Sequence, residues 1–188
     1  PIISVTGSSG AGTSTVKHTF QQIFRRESVD AATIEGDAFH RYNREAMKKE
    51  VEKRNAAGDP TFSHFSFDAN LLPELEECFR SYSKKGKYRY RHYVHNAKEE
   101  QVHGVKPGHF TKWEVFDGSS DLLFYEGLHG AVVNDDVNLA KYADLKIGVV
   151  PVINLEWIQK IHRDRDSRGY STEAVTDTIL RRMHAYVH

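Results

Sequence analysis

Apolar positions along this chain fall into two rhythms. Residues 2–6 (IISVT) form a short apolar run ending at Gly7, the pattern of a strand buried within a parallel sheet. Residues 14–27 place Val16, Phe20, Ile23 and Phe24 at helical spacing, which predicts an amphipathic helix. Residues 31–35 (AATIE) predict a second strand, the charged stretch 41–57 an exposed helix, and residues 71–83 another helix. Two segments, 88–95 (YRYRHYVH) and 109–116 (HFTKWEVF), alternate aromatic with polar residues as half-exposed strands do. Strands at 121–125 (DLLFY) and 145–150 (LKIGVV) follow, then helices at 154–168 and 172–187 split by Arg168-Gly169-Tyr170.

Strands alternating with helices predict an α/β fold with a mostly parallel sheet and helices on both faces. The aromatic segments interrupt that rhythm and predict an inserted antiparallel hairpin or lid between 88 and 116. The length, 188 residues, suits a single domain over residues 1–188. No initiator Met is present, and the apolar pattern still runs at AVTDTILRRMHAYVH without a Gly or Pro stop. This predicts a domain cut at its C-terminus, the N-terminal part of a longer protein.

Composition narrows the function. Lys plus Arg number 26 and so do Asp plus Glu, which argues against a nucleic-acid binder with its basic excess. The one cysteine, Cys78, excludes an internal disulfide or a thiolate metal cluster and fits a reducing cytoplasm; at helical spacing with Leu72, Leu75 and Phe79 it reads as a small core residue. No run approaches the ~18 apolar residues of a membrane span. Eleven histidines, several beside Arg or Tyr, fit a polar cleft, although exposed loop histidines would account for most of them.

Chemistry-bearing segments start where predicted strands end, which is where open α/β sheets bind ligands. The first is Gly7-Ser8-Ser9-Gly10-Ala11-Gly12-Thr13-Ser14-Thr15, between a strand and a helix. That context marks a P-loop, in which glycines let backbone N–H groups converge on phosphate oxygens at a helix N-terminus. Ser14 is placed to bind Mg²⁺ through its hydroxyl. The motif expects Lys at position 13, and this chain has Thr, so the charge that Lys supplies to the β- and γ-phosphates must come from elsewhere.

After the second strand stands Glu35-Gly-Asp37-Ala-Phe-His40-Arg41-Tyr-Asn-Arg44. Asp37 is placed to accept the proton of an attacking hydroxyl, and helical spacing would put His40 and Arg44 on its face, suiting a substrate with both a hydroxyl and a phosphate. An acidic turn before a solvated helix is the plainer alternative. Glu126, after the strand DLLFY, occupies the position of the acid that orients Mg²⁺. Lys160, Arg163 and Asp164 share one helical face and Arg168 sits in the turn beyond, so these cations are candidates for the missing lysine charge. A salt-bridged surface helix, with Glu156–Lys160 as an i, i+4 pair, also fits the alternating charges. In the aromatic segment, Tyr93 and His95 are candidates for sugar-phosphate contact; strand alternation alone would explain them too.

The motifs GSSGAGTST, EGDAFHRYNR, YRHYVH, LLFYEGLHGAVV and DLKIGVVPVINLEWIQKIHRDRDSRGYSTEAV together resemble the phosphoribulokinases of the bacterial type, over nearly the whole chain. The resemblance implies a P-loop kinase-like fold and Mg·ATP-dependent phosphorylation of the C1 hydroxyl of ribulose 5-phosphate, giving ribulose 1,5-bisphosphate for the Calvin cycle. It implies Asp37 as base, Glu126 as the acid near Mg²⁺, and His40, Arg44 and Arg168 at the sugar phosphate. Lys160 and Arg163 would serve ATP and transition-state charge. Thr13 is shared by bacterial members of the family. It further implies a homo-oligomer activated by NADH and inhibited by AMP, and, with Ser8 and a single cysteine, no thiol control of the plant type. Two alternatives stay open: a relative of uridine or pantothenate kinases, and a catalytically silent nucleotide-binding sensor, which the Thr at position 13 would suit.

Overall fold

In the computed structural model, which describes residues 1–183, the elements in chain order are β1 (Ile2–Gly7), α1 (Thr13–Arg26), β2 (Ala31–Glu35), α2 (Arg44–Ala56), α3 (Leu72–Lys85), β3 (Tyr88–Tyr90), α4 (Ala97–His103), β4 (Glu114–Phe116), β5 (Leu122–Gly127), β6 (Leu145–Val149), α5 (Ile153–Arg168) and α6 (Thr172–Thr178). A short 3-10 turn, Gly36–Phe39, follows β2, and a π turn, Ile179–Met183, follows α6. Residues 184–187 of the helix expected over 172–187 lie outside the described residues.

The chain forms two compact units, each assembled from three stretches. The first unites Pro1–Phe39, Leu72–His92 and Lys112–Pro151; the second unites His40–Leu71, Tyr93–Thr111 and the stretch from Val152.

The first unit holds a four-stranded parallel sheet in the order β2-β5-β1-β6. Strand β5 lies inside it, so the run Leu123-Phe124-Tyr125 is buried on both faces, as its unbroken apolar character requires. Side chains alternate across the sheet: Phe124 packs with Val5 and Phe24 against α1, while Tyr125 meets Phe79 of α3 edge to face. Cys78 is buried in α3, and burial raises its thiol pKa far above the reactive range. Strand β6 is apolar but stands at the edge of the sheet and is half exposed, with Leu145 46% accessible.

The antiparallel pair expected in the middle of the chain forms as β3 and β4, with Tyr88 opposite Phe116. Its strands are three residues each rather than the eight of each aromatic run. The connection contains α4, which no apolar period announces because all its side chains are at least partly exposed; Asn96 caps it by accepting from the Lys98 and Glu99 N–H groups.

In the second unit Val51, Phe62 and Ala69 make a small core lined by Tyr42 and Met47. Helix α2 begins at Arg44, because the Asn43 side chain accepts from the Ala46 N–H at 2.8 Å and so sets the start. Asn43→Ala is expected to lower stability by about 1 kcal/mol, read from urea midpoints. The helix expected from residue 41 is corrected accordingly. Asp37 sits in the 3-10 turn and His40 in an isolated bridge to Asn70, so no continuous helical face carries Asp37, His40 and Arg44.

Candidate active site

The phosphate loop folds as its glycines dictate. Gly12, at φ 100°, is the left-handed residue that turns the chain from loop into α1. It caps the helix with no side-chain hydrogen bond, and such a helix N-terminus favours an anion. Backbone bonds from Ala11 N–H to Ser8 O and from Thr15 N–H to Gly12 O close the loop at 3.0 Å each.

Parallel register places the acids. Glu35 at the end of β2 stands opposite Glu126 in β5, whose neighbour β1 leads into the loop. The Thr13 hydroxyl donates to Glu126 Oε1 at 2.5 Å, and Ser14 Oγ lies 3.5 Å from the same oxygen. Thus the residue standing where Lys is usual fastens the strand-end acid to the loop. Beyond Glu126 the chain is tied down by Thr6, whose hydroxyl donates to Leu128 O, and by Ser4, whose hydroxyl donates to Gly130 O.

Two carboxylates side by side repel unless a cation joins them. That cation is Lys17: its Nζ donates to Glu35 Oε1 at 2.7 Å and stands 3.9 Å from Glu126 Oε2. Burial works against the ammonium, but Glu35, Glu126 and Asp37 outweigh it and hold its pKa above the usual lysine value. The phosphate-loop pattern itself does not single out Lys17. Its signal was available, since it stands at i+4 from Thr13 and shares its helical face.

Asp37 is fixed through its neighbours. A Cβ on Gly36 would meet the Tyr125 hydroxyl at 2.5 Å and Gly127 Cα at 3.0 Å, so only glycine lets the turn lie this close to β5. From the other side Arg91 Nε donates to Ala38 O at 2.7 Å, with its guanidinium 4.5 Å from the Trp113 ring centre, and Trp113 packs edge-on against Phe39. Burial pulls the Arg91 pKa down to about 10, which leaves it charged at neutral pH. Arg91 is a second residue whose part was not legible, because it acts through a backbone carbonyl remote in sequence.

The second unit gathers His40, Arg44, Tyr93 and His95. His40 Nδ1 is 2.7 Å from Asn70 Oδ1, and the Asn70 amide donates to the carbonyls of His64 and Ser66. The Tyr93 ring meets both His40 and His95 edge to face, at 6.1 and 4.9 Å. Arg44 donates to His95 O at 3.1 Å, while its own N–H donates to Gly108 O. Imidazoles, a guanidinium and a phenol on neighbouring stretches make a set suited to a phosphate-bearing polar ligand.

Along α5 the expected face of charges is present but turned inward. Asp164 is buried and accepts from Lys160 Nζ at 2.8 Å and from Arg163 Nε at 2.9 Å, with Arg168 at 3.3 Å. Burial disfavours the carboxylate, yet the three cations hold Asp164 below its ordinary pKa. Lys160 is only 2% exposed, so the solvated surface helix does not form on this face. Lys160, expected to serve ATP and transition-state charge, has its ammonium paired with the Asp164 carboxylate. Arg163 and Arg168 keep partly exposed side chains.

Hard oxygen donors at Ser14 and Glu126 fit Mg²⁺ arriving with a nucleotide, which takes one or two protein ligands and completes its shell with phosphate and water. Among the described residues no group of three or more His, Cys, Asp and Glu could hold a metal by itself. No helix among them is long and apolar enough to cross a membrane.

Residues 2–188 match the model of the Phosphoribulokinase / Uridine kinase family. The chain is 72% identical to phosphoribulokinase 1 of Cereibacter sphaeroides and 66% identical to the phosphoribulokinase of Nitrobacter vulgaris. Both matches span all of this chain and 65% of the relative's length. The phosphoribulokinase structure from Rhodobacter spheroides superposes with a TM-score of 0.84 at 70% identity, over 100% of this chain and 64% of that one. A D-glycerate 3-kinase from Cryptococcus neoformans shares the fold alone, with a TM-score of 0.60 at 14% identity over 99% of this chain and 77% of its own.

Proposed function

The chain belongs to the phosphoribulokinase / uridine kinase family, and from that premise we propose that it transfers the γ-phosphoryl group of ATP to the C1 hydroxyl of ribulose 5-phosphate. The observation that carries the reading is a carboxylate, Asp37, clamped in a turn after β2 on the sheet whose β1 runs into a phosphate loop. Such a carboxylate serves a transfer to an alcohol, whose proton must leave as its oxygen bonds to phosphorus. High identity to proteins named phosphoribulokinase supports ribulose 5-phosphate as that alcohol.

In the proposed reaction the loop N–H groups from Gly7 to Thr15 hold the triphosphate; Ser14 and Glu126 would hold Mg²⁺, which would screen phosphate charge. Asp37 takes the C1 hydroxyl proton while that oxygen attacks the γ-phosphorus. The bond to the β-phosphate oxygen then breaks and ADP leaves. His40, Arg44, Tyr93, His95 and Arg168 bind the sugar phosphate. Arg163 neutralises phosphoryl charge, and Lys160 keeps Asp164 and, through it, both arginines in place. The same reading includes the cytoplasm as location, assembly into a homo-oligomer and NADH and AMP as effectors; these last rest on the resemblance alone.

Coupled ADP release with a panel of acceptors tests the reading. Ribulose 5-phosphate is expected to be consumed, with uridine and pantothenate inert. Turnover of uridine or pantothenate instead would favour the nucleoside- or pantothenate-kinase reading, and ATP binding without turnover the silent sensor.

A further inference from the structure

A phosphate loop with Thr at position 13 lacks the ammonium that such loops direct at the phosphates. Helix geometry offers a replacement. Residue 17 lies one turn beyond residue 13, about 6 Å along the axis, and helical side chains lean back toward the N-terminus. Lys17 follows that rule: its side chain is 13% exposed and its Nζ lies between Glu35 and Glu126. Three carboxylates act on it, those of Glu35, Glu126 and Asp37. Without a cation this end of the sheet would carry three negative charges facing a polyanionic ligand.

We propose that Lys17 is a positioning residue that stands in for the phosphate-loop lysine indirectly: it binds Glu35 and Glu126, screens their charge, and so lets an ATP polyphosphate approach the loop. Thr13 is the complementary half of the device, since its hydroxyl secures the other oxygen of Glu126. The usual lysine touches phosphate, whereas this arrangement lowers the negative potential that phosphate must meet. The inference rests on the loop being an ATP site.

Metal-free ATP carries about twice the net charge of Mg·ATP, so loss of a nearby cation costs it about twice as much on a logarithmic scale. By calorimetric titration, Lys17→Met is expected to weaken Mg·ATP about threefold and ATP in excess EDTA about tenfold. Lys17→Arg should keep both affinities within about twofold, because it preserves charge and reach. Glu35→Gln removes a negative charge instead and should shift the two affinities the opposite way, tightening metal-free ATP more than Mg·ATP. This last variant keeps the test decisive if Lys17→Met does not fold. Equal losses for the two ligand forms, no loss, or weakening by Glu35→Gln would overturn the screening role. A wild-type protein that binds neither form would instead overturn the ATP-site reading itself.

Discussion

Asp37→Asn is expected to lower kcat by about 10²–10⁴-fold while leaving the Kd for Mg·ATP within about twofold of wild type. Asn has nearly the shape of Asp but cannot accept the hydroxyl proton as a carboxylate does. The turn should survive the change, because its position is set by the contact of Gly36 with Tyr125 and by the bond from Arg91 to the Ala38 carbonyl. Steady-state kinetics with calorimetric nucleotide binding separates the two quantities. A loss in kcat below about tenfold would remove Asp37 from the role of base.

The second large effect concerns stability. Asp164→Ala removes the buried carboxylate that Lys160, Arg163 and Arg168 share, and breaking such a buried ion pair is expected to cost about 3–5 kcal/mol. Removing both charges, as Lys160→Met with Asp164→Ala, should recover much of that loss. The pH dependence has a defined sign. A carboxyl whose pKa is lower in the folded than in the unfolded state stabilises above its unfolded value and loses that contribution as pH falls through its folded value. Wild-type stability should therefore drop below about pH 4, and the Asp164→Ala protein should show less of that drop. Urea unfolding across pH 3–7 is the measurement; a single-variant loss under about 1 kcal/mol would contradict the anchoring role.

What could be read from the chain was whatever depends on neighbours in sequence. The phosphate loop, the strand-end acids Asp37 and Glu126, and the run LLFY that fills β5 all follow from local patterns, and the structure places them in or just beyond the strands of one parallel sheet. The spacing of Lys160, Arg163 and Asp164 likewise showed a shared face. It could not show which way that face points, because alternating charges read as solvated unless a partner such as Phe65, whose ring centre lies 6.0 Å from Lys160 Nζ, is known to cover them. Helix α4 stayed hidden for the opposite reason: with no buried side chain it has no apolar period, and its markers are the caps Asn96 and Gly104. Arg91 escaped because it acts on a carbonyl more than fifty residues away.

The proposed reaction transfers a phosphoryl group from ATP to a sugar-phosphate alcohol with Asp37 as base. Phosphorus NMR of the protein with Mg·ATP and ribulose 5-phosphate tests it most directly. A new phosphate monoester is expected to grow as the γ-phosphate resonance of ATP decays, with both changes suppressed in Asp37→Asn. Inorganic phosphate in place of a new ester, or an ester formed as fast by Asp37→Asn as by wild type, would contradict it.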